Sequence, residues 1–130
     1  MYRAMQKQRG MVEAAVTEAL IKFERDFMGR GPSEARTYII DDLVIVRLKG
    51  VITRAERHLV SVDPTGRGRE LIKQSRMELI EKARPLLCEV VEKEVGLRVV
   101  SMHSDLSVRT GERVIIFTLD SKWCEATAES

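Results

Sequence analysis

Apolar residues recur at helical spacing through the first part of the chain. Val12, Ala15, Val16, Ala19, Leu20, Phe23 and Phe27 stand at i, i+3, i+4, i+7, i+8, i+11 and i+15, one stripe of an amphipathic helix. Glu13, Glu18, Lys22 and Arg25 fall off that stripe, and Glu18–Lys22 has the order that favours an exposed i, i+4 pair. The spacing stops at Met28. Gly29, Gly31 and Pro32 then break the helix, because glycine tolerates φ > 0 and proline cannot continue the hydrogen-bond ladder. Residues 37–40 and 43–48 are short runs rich in Ile and Val on either side of Asp41-Asp42. They predict a β-hairpin or a sharply bent strand pair.

Thr53 and Glu56 stand three apart, the spacing of a capping box, and predict a short helix over about 54–60. Residues 63–69 (DPTGRGR) interrupt it and open a longer one. Its expected face is Leu71, Ser75, Leu79, Ala83, Leu86, Val90 and Glu94, flanked by Ile72, Ile80, Leu87 and Val91, with Gly96 ending the helix. Pro85 removes a backbone donor inside this run, so a kink or break is expected near Arg84. Residues 97–107 and 113–119 flank a turn at 109–112 and predict a second hairpin. The expected order is α-β-β-α-α-β-β: one α+β domain over 11–120, with a four-stranded, mainly antiparallel sheet of two hairpins packed with long amphipathic helices. Residues 1–10 read as a flexible basic terminus and 121–130 as a polar tail, with Trp123 suited to pack back.

A continuous helix over 68–95 would be roughly 40 Å long, against a four-stranded sheet about 20 Å across. It would overhang. The neighbouring pairs Ile39/Ile40, Val44/Ile45 and Ile115/Ile116 also place apolar side chains on both faces of the sheet. One face takes the chain's own helices, and the other calls for a second cover. A homodimer is therefore expected, by helix exchange or by sheet stacking.

At 130 residues the chain can bury a core without disulfides, and its two cysteines, Cys88 and Cys124, fall short of a disulfide framework. With no signal peptide in view, a cytoplasmic protein is expected. No apolar run approaches the length needed to span a bilayer. The net charge of +2 and an aromatic content of 5% argue against nucleic-acid binding. Asn is absent, and that depletion points to a heat-adapted source.

The most enzyme-like stretch holds His103 and Asp105, two apart and so on one side of a strand, where a carboxylate could orient a base. No nucleophile motif accompanies them, and a polar strand pair is the plainer reading. No metal site is expected: His58 and His103 lie in separate elements, and the cysteines lack C-x-x-C spacing. No phosphate-loop or dinucleotide motif occurs, and no cofactor is expected. Arg67 and Arg69, interleaved with Gly66 and Gly68, put two cations at a helix N-terminus, where the dipole disfavours them. A small anion or an acidic partner would relieve that misfit, and Arg30 between Gly29 and Gly31 is a second candidate.

Several segments then become recognisable in order: Glu18-Ala-Leu-Ile-Lys-Phe-Glu24, MGRGP at 28–32, RTYIIDDLVIVRLKG at 36–50, T-x-A-E at 53–56, RELIK at 69–73, ARPLL at 83–87 and TGERVIIFTLD at 110–120. Together, over about residues 11–120, they resemble the MpsC family, a component of a Na+-translocating membrane-potential-generating system. The resemblance implies a non-enzymatic accessory subunit, not the ion channel, in a system linked to inorganic carbon uptake. It implies peripheral association with membrane transport subunits and carries over no catalytic residues. The alternative, from another class, is an independent regulatory or nucleic-acid-binding α+β module.

Overall fold

The computed structural model describes residues 8–124, in the order α1 (Arg9–Met28), β1 (Glu34–Ile40), β2 (Leu43–Lys49), α2 (Arg54–Val62), α3 (Arg67–Lys82), α4 (Arg84–Val95), β3 (Val99–Ser107) and β4 (Glu112–Leu119). The expected flexible terminus and polar tail lie partly outside those residues. Within them, Arg9 and Gly10 already belong to α1, and Trp123 is buried.

Both hairpins form, and they join through their second strands into one antiparallel sheet of order β1-β2-β4-β3. The first turns at Asp41-Asp42, with Asp41 at φ 55, a left-handed conformation that aspartate tolerates better than most residues. The second closes through Gly111 at φ 75.

Pro85 breaks the long helix, and the described residues hold four helices where the expected order has three. Lys82 ends α3, and Ala83 hands over to α4, in which the proline occupies the first turn where its missing N–H costs nothing. The pieces of 16 and 12 residues span roughly 24 and 18 Å and no longer overhang the sheet. That removes one of the two reasons for expecting a dimer.

The α1 stripe packs as its spacing predicts, with Val12, Val16, Leu20 and Phe23 buried, while Phe27 stays exposed. On α3 and α4 the expected face is displaced. Ile72, Arg76, Ile80, Ala83, Leu87, Val91 and Val95 face the core, and Leu71, Leu79 and Leu86 face outward. The cause is Arg76: a charge in the middle of the true stripe hides it from a pattern of apolar positions. Arg76 is held there by a two-point hydrogen bond to Glu56, with Nη2 to Oε1 at 2.6 Å and Nε to Oε2 at 3.1 Å.

The capping box of α2 is formed. The Glu56 N–H donates to Thr53 Oγ1 at 3.1 Å, and the Thr53 N–H donates to Glu56 Oε1 at 2.9 Å. Because α2 buries no residue of its own, it depends on this cap more than the other helices do. Thr53→Ala is expected to destabilise the protein by about 1 kcal/mol in urea unfolding, with Thr53→Ser near wild type.

Candidate functional site

All three larger helices contact one another or strands on one face of the sheet, which buries Val44, Val46, Leu48, Ile115, Phe117 and Leu119. Strand side chains alternate, so the other face is set by the same register. Its side chains fall in rows across β1, β2, β4 and β3. The upper row is Ile40, Leu43, Thr118 and Ser101, and the second is Tyr38, Ile45, Ile116 and His103. The third is Arg36, Arg47, Val114 and Asp105, and beyond it lie Glu34 with Lys49 and Glu112 with Ser107. None of these sixteen side chains is fully buried, and Ile40 is 53% exposed. The open face is therefore apolar at one end and charged at the other.

Its charged corner forms a depression of about 190 Å³ lined by Glu34, Ala35, Arg36, Tyr38, Arg47 and Lys49. Arg47 Nη2 lies 2.7 Å from Glu112 Oε2. Arg36 Nη1 reaches Tyr38 Oη at 3.5 Å, and this contact lowers the phenol from its ordinary pKa. Arg36 and Lys49 form no ion pair among the described residues.

His103 and Asp105 do share this face, as their spacing requires, but they make no hydrogen bond to each other. The Asp105 carboxylate accepts from the Leu106 N–H at 2.9 Å and lies 3.2 Å from Lys73 Nζ. Those partners pull it below its usual pKa, the backbone N–H most strongly. Arg30, Arg67 and Arg69 are exposed and lie outside the strands whose side chains make the open face. At the start of α3 the Gly68 N–H is taken by the chain's own Asp63 carboxylate and the Arg67 N–H by the Thr65 hydroxyl. Asp63 Oδ2 accepts from the Gly68 N–H at 2.7 Å, and Oδ1 accepts from the Thr65 N–H and hydroxyl at 2.9 and 2.6 Å. Hydrogen bonds from Thr65 and Gly68 hold Asp63 below its ordinary pKa. Cys88 sits half-buried in α4, where burial pushes its thiol up and keeps it protonated.

One pair was not legible as a site in the sequence. Glu24 on α1 and Arg113 on β4 are both fully buried, with Arg113 Nε 3.8 Å from Glu24 Oε2. Neither side chain has a hydrogen-bond partner among the described residues. Burial pushes the Glu24 carboxyl up, against the pull of Arg113 and Arg76, and pushes the Arg113 guanidinium down. Glu24 adjoins Phe23 on the helix stripe, and Arg113 takes an inward position of β4. A period count that includes polar residues would have placed both inside.

No helix among the described residues is long and apolar enough to cross a membrane, and no group of three or more metal-ligating side chains occurs among them. A family model described as the Na+-translocating membrane potential-generating system (MpsC) matches residues 8–121. The uncharacterized protein YbcI of Bacillus subtilis (strain 168) is 40% identical over 115 residues, covering 88% of this chain and 90% of its own length. The uncharacterized protein YrhF of the same organism is 26% identical over 105 residues, covering 78% and 81%. No solved structure matches.

Proposed function

This chain belongs to the MpsC family, and from that premise we propose that it is a non-enzymatic binding subunit of a Na+-translocating, membrane-potential-generating system that works as a homodimer. The observation that carries the reading is the sheet face that no helix among the described residues covers, where Ile40, Leu43, Ile45, Val114 and Ile116 stand together beside Arg36, Arg47 and Lys49. A contiguous apolar area with a charged margin is the composition of an association surface. Partner binding is favoured over a small anion at Arg67 and Arg69, because Asp63 and Thr65 already accept from the Gly68 and Arg67 N–H groups there. No helix among the described residues is long and apolar enough to cross a bilayer, and in this reading other subunits move the ion and this one attaches to them.

Light scattering on the purified protein, joined to mass spectrometry of gently isolated native material, tests this. The expected result is a particle of twice 14.8 kDa that co-isolates with a membrane-spanning transport subunit. A monomer that carries no such subunit would overturn the reading.

A further inference from the structure

The charges on the open face change sign along a row. The third row runs Arg36, Arg47, Val114, Asp105, with a cation on one edge strand and an anion on the other. The row above it has Ile45 and Ile116 at its two central positions. Reversing the strand order about the middle sets Ile45 against Ile116 and Arg36 against Asp105, so at these positions the face is complementary to a second copy of itself, as a two-fold interface requires.

Resting on the homodimer proposed above, we propose that two copies stack open face to open face about a two-fold axis parallel to the strands, so that β1 of one lies over β3 of the other. Rotation about that axis keeps every row at its own height and reverses the strand order. Ile45 then meets the partner's Ile116, and Arg36 meets the partner's Asp105. Lys49, one position past the last registered pair Leu48–Arg113, meets the partner's Glu112. A twisted sheet turned about its central strand direction nests on itself at the usual spacing of about 10 Å. The other two-fold that nests, across the strands, is rejected by the pattern. It would lay both Ile40 and Leu43 over Glu34 and Lys49, two charges against hydrocarbon, where the axis parallel to the strands sets only Arg47, still paired with its own Glu112, over the partner's Val114.

Charge reversal separates this geometry from the dimer itself. Arg36 and Asp105 are both exposed, so Arg36→Asp and Asp105→Arg should keep the fold, as circular dichroism would check. Each variant alone sets like charges against each other at both ends of the interface. At low salt each is expected to dissociate at least tenfold more readily than wild type, running as monomer by light scattering at concentrations where wild type is dimeric. An equimolar mixture of the two restores both opposite-charge contacts and should recover the dimer mass, as should the chain carrying both changes. If the single variants stay as dimeric as wild type, or if the mixture fails to pair, the stacking geometry is wrong while the homodimer stands. A monomeric wild type removes both.

Discussion

Glu24→Leu is expected to cost about 3–5 kcal/mol of folding free energy at pH 7, because it leaves the Arg113 guanidinium fully buried without its nearest counter-charge. Arg113→Met should cost a similar amount, but with a pH dependence that Glu24→Leu lacks. In that variant Glu24 keeps its desolvation and loses the stronger of the two cations pulling the other way, with only Arg76 left, so its folded pKa rises further above the ordinary 4.5. A carboxyl with a raised folded pKa contributes its full stability below the unfolded value. That contribution is lost as pH rises through the folded one. Arg113→Met should therefore weaken progressively above about pH 4.5, the direction opposite to ordinary acid unfolding. The chain carrying both changes should return to wild-type stability or exceed it by about 1–4 kcal/mol, since two buried ions with no hydrogen bonds give way to hydrocarbon. Urea unfolding of the four proteins between pH 4 and 8 reads all of this. If the single changes are near neutral, the pair is not isolated from water as its burial indicates. If the double variant is the weakest of the four, the pair stabilises the fold and the reasoning from desolvation is wrong.

Trp123→Ala is expected to cost about 3 kcal/mol or more. The indole is 9% exposed and donates its Nε1–H to the Val95 carbonyl at 3.2 Å, at the end of α4. Its backbone N–H donates to the Asp41 carbonyl at 2.9 Å, in the turn of the first hairpin. Trp123 therefore ties the chain after β4 to two elements far away in sequence. Trp123→Phe keeps most of the burial and loses the indole hydrogen bond, and should cost only about 1 kcal/mol beyond the smaller ring. Circular dichroism is the readout, because the substitutions remove the chain's one tryptophan. A loss below 1 kcal/mol for Trp123→Ala would mean the residues beyond Asp120 add little to the domain.

The local elements were legible in the sequence wherever a single residue type dictates them. The proline at 85 broke the helix, Gly96 ended it at φ 78, and Thr53 with Glu56 capped α2. Both hairpins followed from runs of β-branched residues around short turns, and the α1 stripe from its spacing alone. In those cases the deciding interaction lies within a few residues, so local spacing carries it.

What only the tertiary structure decided are the places where a polar residue points inward. Glu24, Arg76 and Arg113 occupy core positions, yet each looks like a surface residue when positions are sorted by polarity. Arg76 is inside because Glu56, twenty positions earlier, meets it with two hydrogen bonds, and that pairing exists only once α2 and α3 are packed. The same reason moved the buried face of α3 and α4 one residue along from the stripe of leucines. For the candidate site, alternation along each strand placed apolar residues on both sides of the sheet, and the structure left one side uncovered. Which residues share a row there, with Arg36 level with Asp105, depends on how the two hairpins pair. That register is a contact between segments some seventy positions apart, set by packing of the whole sheet and not by either segment alone.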